Sequence, residues 1–294
     1  MYITMTSITR QSLRSSGLQP AIVLKNICVD RSGSMHSFRG NQYNMTEELL
    51  LDTWKQARES NISNRVTLKT FDNNVNIMLC EVNPMEQDTP SLQIIRENLS
   101  PRGMTRLNDT VIESLNELKL AKENYLNTLS NEARSLNPKI VQILVVITDG
   151  QDNESSSNIS EVREKILEFR EGGGEAILMA ANMDAQEIGS RYGFNDEQCL
   201  TVHNSDTNAI QSGFRSLTSV IRDTSLGTPA VGFTQTQRTL SQNMTGPLVP
   251  MPSLTTPPAL TRQVARPVSP SSILQPLRPT YQTAYADLIY SQQY

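Results

Sequence analysis

The chain has 294 residues, 37% of them hydrophobic and 19% charged, with 26 Lys and Arg against 30 Asp and Glu for a net charge of -4. That balance argues against a nucleic-acid binder, which carries a basic excess, and apolar runs such as Ile143–Ile147 are far too short to cross a bilayer. Three separated cysteines without a CxxC pair, and only two histidines, exclude a zinc knuckle and a multi-histidine metal centre and argue against a disulfide scaffold.

Residues 1–19 are rich in Ser and Thr, contain no acid and are expected to be a flexible N-terminal segment. Residues 21–30 (AIVLKNICVD) read as a buried strand and 46–60 as an amphipathic helix. Residues 65–71 and 75–81 flank Asn73-Asn74, the pattern of a β-hairpin. A long helix is expected over 107–129, and a strand over 140–149 that is apolar up to Thr148 apart from Gln142. A helix over 160–171, with Ser160 as its cap, ends at Gly172–Gly174. Strands over 176–181 and 199–202 and a helix over 206–222 complete the core. Apolar strands alternating with helices predict an α/β fold: a mostly parallel central sheet, one antiparallel edge from the hairpin, and helices on both faces.

Composition changes again at Gly227. From there to Tyr294 lie ten of the fifteen prolines, four arginines and one acid, Asp287, so this segment stands at +3 and the rest at -7. Residues 20–226 are therefore expected to fold as the domain and 227–294 to form an extended, proline-rich tail. Tyr281, Tyr285, Tyr290 and Tyr294 recur at spacings of four to five and could present one face of a short helix to a partner.

In open α/β sheets, ligands bind beyond the carboxyl ends of the strands. Two such ends carry polar clusters: Asp30-Arg31-Ser32-Gly33-Ser34 after the first strand, and Thr148-Asp149-Gly150 after the fourth. Between them lies the loop Gly103-Met104-Thr105, which enters a helix. Asp30, Ser32, Ser34, Thr105 and Asp149 would bring two carboxylates and three hydroxyls to one sheet edge. A set made only of hard oxygens suits Mg²⁺ or Mn²⁺ and not zinc. Few charged ligands leave such a cation able to accept one more anionic oxygen, which a partner's Asp or Glu can supply. Asp109, Asp152 and Asn153 sit beside the motifs, where they could hydrogen-bond the ligands. His36 and Met104 lie in the same loops and are candidate partner contacts.

No catalytic constellation competes. The glycine cluster Gly172–Gly174 is flanked by Glu171 and Glu175 and lacks the lysine of a P-loop, and Ser32 is not in a G-x-S-x-G elbow. A Ser32–His203–Asp149 triad would need residues that the oxygen set already uses. The chain is expected not to be an enzyme.

The set DRSGSM, GMTRLND and VVITDG resembles the metal-ion-dependent adhesion site of the von Willebrand factor type A (VWA) domain. The resemblance spans about residues 20–226 and implies a three-layer, Rossmann-like fold. It also implies that Ser32, Ser34 and Thr105 bind the ion directly, while Asp30 and Asp149 act mostly through water. The stretch AILMAANMDAQEIGSRYGF is further similar to intracellular-type members of bacteria, phages and large DNA viruses. The resemblance points to a cytoplasmic protein that binds a protein partner through the cation, with no nucleic acid and no membrane span. The alternative is a structural component of a virion or other intracellular assembly, with homo- or hetero-assembly through the tail.

Overall fold

The computed structural model describes residues 19–204, 206–228 and 232–242. Its elements in chain order are β1 (Ile22–Asp30), a 3-10 turn (Gly33–Phe38), α1 (Asn41–Ser60), β2 (Ser63–Phe71), β3 (Val75–Val82) and α2 (Leu92–Asn98). Then follow α3 (Leu107–Thr128), α4 (Asn131–Ser135), β4 (Ile140–Thr148), α5 (Ile159–Glu171), β5 (Glu175–Ala181) and α6 (Ala185–Tyr192). A 3-10 turn (Asp196–Gln198), β6 (Cys199–Val202), α7 (Thr207–Ser225) and α8 (Gln235–Gln242) finish the described chain.

The six strands form one sheet in the order β3-β2-β1-β4-β5-β6, parallel throughout except for the β2–β3 hairpin. Every residue of β1 is buried, because both faces of the sheet are covered and both neighbours are strands. Alternation along β1 divides the core. Val23, Ile27 and Val29 pack with residues of α1, α2 and α7, while Ile22, Leu24 and Cys28 pack with residues of α3, α5 and α6. This is the expected mostly parallel, helix-covered α/β sheet with one antiparallel edge.

Some boundaries differ from the expectation. Helix α1 begins at Asn41, directly after Gly40 in the left-handed region at φ 84°. Its inward positions begin at Gln42 and continue with Met45 and Thr46, so the opening Asn41-Gln42 is polar and lacks the apolar period by which a helix is read. Ser160 does not cap α5. Asn158 does, accepting from the Ser160 and Glu161 amides, while Glu161 reaches back to the Asn158 amide at 3.1 Å in a capping box. Helices α2, α4 and α6 are five to eight residues long, and the sequence pattern does not predict them.

Each face of the sheet also buries a lysine. Lys69 of β2 is ion-paired with Glu117 of α3 at 2.7 Å. Among the described residues, Lys25 of β1 has no such partner. Its ammonium lies 3.4 Å from Gln56 Oε1, and burial, opposed only weakly by Asp52, lowers its pKa to about 7.

Residues 232–242 pack as part of the fold, although they lie beyond the composition change at Gly227. Phe233 is buried, and its amide donates to Glu197 O at 2.7 Å. Arg238 Nη1 donates to Cys199 O at 2.6 Å and Ser241 Oγ to Thr201 O at 2.7 Å, while His203 N donates to Ser241 O. The outer edge of β6 is thereby covered, which removes a surface for strand pairing.

Candidate metal centre

Strand order changes direction between β1 and β4, and the carboxyl ends of these two strands carry the site. Asp30, the last residue of β1, is fully buried. Its Oδ1 accepts from Ser32 N at 2.6 Å and its Oδ2 from Thr148 Oγ1 at 2.6 Å. Burial raises its pKa to about 6 against these hydrogen bonds, and Asp149 pushes it further in the same direction. Among the described residues, no cationic side chain pairs with it.

From Asp30 the chain turns through Ser32 to Ser34, whose hydroxyl oxygens are 2.9 Å apart. The Ser34 hydroxyl also donates to Asp149 Oδ1 at 2.6 Å, and Ser37 Oγ donates to Oδ2 at 3.0 Å. Burial raises the Asp149 pKa as well. A Cβ built on Gly150 would stand 3.2 Å from Thr105 Oγ1 and 3.5 Å from Ser34 Oγ, so both hydroxyls close around the bare backbone of Gly150. The structure thus brings Asp30, Ser32, Ser34, Thr105 and Asp149 to one place.

Backbone bonds stitch the contributing loops together. Gly33 N donates to Gly103 O, Arg102 N to Arg31 O and Arg31 N to Phe71 O. Gly103 sits at φ 70°, and an added Cβ would fall 2.1 Å from Asn73 Oδ1, the atom that accepts from Met104 N at 3.1 Å. Asn73 therefore does more than turn the hairpin, since it also sets the loop that carries Thr105. Beneath it, Asp72 is ion-paired with Arg31 Nε at 3.0 Å and accepts from Arg102 Nε at 2.8 Å.

Asp109 and Asp152 are placed otherwise than expected. Asp109 accepts from the amides of Ser156 and Ser157 and from Arg106 Nε, none of them a site residue. Burial opposes its ionisation, but these bonds outweigh it and bring its pKa to about 2. Asp152 accepts from Asn108 N and Ser155 Oγ. Both carboxylates clamp the loop after β4 onto α3, because they face the free amides of that loop and of the helix start. Asn153 does touch the site: its Oδ1 accepts from Thr105 N at 2.7 Å.

His36 and Met104 are exposed at the rim. Tyr281, Tyr285 and Tyr290 lie outside the described residues. Two residues that sequence reasoning missed are Ser37 and Asn204. Asn204 Nδ2 donates to Ser37 Oγ, which holds Asp149, and Asn204 N donates to Asn182 Oδ1. A serine and two asparagines far apart in sequence carry no spacing signal.

Among the described residues, no three His, Cys, Asp or Glu side chains cluster closely enough to hold an ion by themselves. A cation here would have to rest on hydroxyls. The donor set fits a hard divalent cation: three hydroxyls and two carboxylates converge, and the buried Asp30 charge is balanced by neutral donors alone. No described helix is long and apolar enough to cross a membrane.

The model of the von Willebrand factor type A domain matches residues 26–216, and the chain belongs to this family. Comparison with curated protein sequences gives no match. Among solved structures, the chain is similar to a von Willebrand factor type A protein from Catenulispora acidiphila, at 13% identity and a TM-score of 0.46, over 68% of this chain and 42% of that one. It is similar to the PilB minor pilin from Streptococcus sanguinis, at 16% identity and a TM-score of 0.48, over 71% of this chain and 63% of that one. It is also similar to proximal thread matrix protein 1 from the mussel byssus with a zinc-occupied MIDAS motif, at 14% identity and a TM-score of 0.39, over 70% and 45%. The alignments span less than two-thirds of the length of these three chains.

Proposed function

We propose that this chain is a non-enzymatic, divalent-cation-dependent protein-binding module, taking Mg²⁺ or Mn²⁺ on Ser32, Ser34 and Thr105 with Asp30 and Asp149 behind them. The observation that carries this reading is the closure of Ser34 Oγ and Thr105 Oγ1 around Gly150, beside Asp149 and a buried Asp30 with no cationic partner. When bound, the cation supplies a Lewis-acidic centre for a carboxylate oxygen of a partner's Asp or Glu. The chain's own residues fix the donors in place. Asp30 holds the Ser32 amide, Ser37 and Asn204 hold Asp149, and Asn73 and Asn153 hold the amides of Met104 and Thr105. His36 and Met104 stand at the exposed rim, where the partner would arrive.

The test is calorimetric titration of the full chain with Mg²⁺, Mn²⁺ and Zn²⁺, beside affinity capture from the native lysate with Mg²⁺ or with EDTA. Saturable Mg²⁺ or Mn²⁺ binding that is lost in Thr105→Ala, and a partner retained only with the cation, are expected. Equal capture with and without EDTA sinks the reading.

A further inference from the structure

A cavity of about 260 Å³ opens next to the candidate metal centre, between the start of α3, the loop after β4 and helix α6. It shares Gly150 with the site, so the backbone on which the Thr105 and Ser34 hydroxyls close is also a wall of this cavity. Its size is below that of pockets that enclose cofactors or drug-sized molecules, and suits one or two amino-acid side chains.

The wall chemistry is uneven. Leu107, Ile159, Ile188 and the ring of Tyr192 supply an apolar lining. Most of the polar groups inside are already engaged. Tyr192 OH donates to Asn108 Oδ1 at 2.8 Å, Asn108 Nδ2 donates to Ser157 O, and Asp152 accepts from Asn108 N and Ser155 Oγ. A guest therefore meets few unsatisfied polar groups within, and an apolar side chain fits without stranding a donor or acceptor. At the mouth stands Arg191, which is exposed.

We propose that this cavity is a specificity subsite that receives a bulky aliphatic side chain of the partner adjacent to its metal-seeking Asp or Glu, with Arg191 favouring a second acid beyond it. The proposal rests on the metal-bridging reading and narrows it: the partner presents an acidic residue beside Leu, Ile or Met, not an isolated carboxylate. The shared Gly150 wall carries the adjacency, and the apolar lining carries the choice of side chain. Burial of one such side chain is worth about tenfold or more in affinity.

The experiment uses the full chain labelled at its isoleucine δ1 methyl groups, in Mg²⁺, titrated with four blocked pentapeptides. These are Ala-Ala-Asp-Ala-Ala, Ala-Ala-Asp-Leu-Ala, Ala-Leu-Asp-Ala-Ala and Ala-Ala-Asp-Leu-Asp. We expect one of the two singly acidic leucine peptides to bind at least tenfold more tightly than the alanine peptide and to shift the Ile159 and Ile188 methyl signals. Gln151→Trp, a change at an exposed rim position, and Ile188→Gln should each remove the leucine advantage while the alanine peptide still binds in Mg²⁺. Arg191→Glu should cancel any gain from the second aspartate. Equal affinity of leucine and alanine peptides, with binding still lost in Ser34→Ala, overturns the subsite and leaves the metal-bridging reading standing. No Mg²⁺-dependent binding of any peptide overturns both.

Discussion

Ser34 and Asp149 lie 115 residues apart in the chain, yet the Ser34 hydroxyl donates to Asp149 Oδ1 at 2.6 Å. The contact exists because β1 and β4 are adjacent and in register, Val29 opposite Ile147, so that both strands release their polar ends at the same height. A carboxylate and a hydroxyl held this way need no folding step to meet a cation.

The first prediction concerns what holds Asp149. Ser37 donates to Asp149 Oδ2 and accepts from Asn204, which follows β6. Asn204→Ala frees this support without touching a proposed ligand. Mg²⁺ affinity is expected to fall about three- to tenfold, in line with the loss of one hydrogen bond, while Thr105→Ala costs more. Calorimetry on the two variants separates support from ligation, and equal losses would count against the distinction.

Gly150 sets the width of the site. A methyl there would press against Thr105 Oγ1 at 3.2 Å and Ser34 Oγ at 3.5 Å. Gly150→Ala should weaken cation binding about tenfold or more and leave the melting temperature nearly unchanged. Unaltered binding would mean that the hydroxyls move freely.

Lys25 links stability to pH in a defined direction. Burial lowers its pKa in the folded chain to about 7, from 10.5 in the unfolded chain, with Asp52 offsetting part of the shift. Between these values the unfolded state binds more protons, so this group's contribution to stability rises as pH rises from about 7 to 10.5. Below pH 7 its full destabilisation is present. Lys25→Met, which keeps the length and removes the charge, should stabilise the protein at pH 7 by on the order of a few kcal/mol. The gap should narrow toward pH 10. Chemical denaturation at pH 7 and pH 9.5 measures it, and a constant difference would refute the assignment.

Arg238 anchors α8 to the edge strand. Its guanidinium donates to the carbonyls of Cys199, Asp196 and Glu197 and lies 5.9 Å from the Phe233 ring centroid. Arg238→Ala should destabilise the protein by about 1.5–3 kcal/mol. It should also raise its tendency to aggregate, since the β6 edge loses its cover. Thermal unfolding with light scattering reads both effects.

Near-continuous apolar runs such as 143–147, separated by helical patterns, are enough to place the six strands and the longer helices, because burial on both faces of a parallel sheet leaves no polar face along the strand. The three oxygen-rich loops were visible for a related reason: they directly follow those strands or enter a helix, so their position in the fold was implied by the pattern. Short helices such as α2 and α6, seven and eight residues long, leave no such trace, since two turns hold too few residues to show a period. The start of α1 is hidden because Gln42, the first of its residues to point inward, is polar.

Only the tertiary structure decided what supports the site. Asp109 and Asp152, adjacent to the motifs in sequence, turn to the amides of the loop after β4, whereas Ser37, Asn73 and Asn204 reach the site or its loops from distant segments. A hydrogen bond depends on where a short side chain points after the backbone has packed, and no linear period encodes that direction. Residue type and strand context determined which atoms are offered at this sheet edge. The register of β1 against β4 and the turns of three loops determined which of them meet.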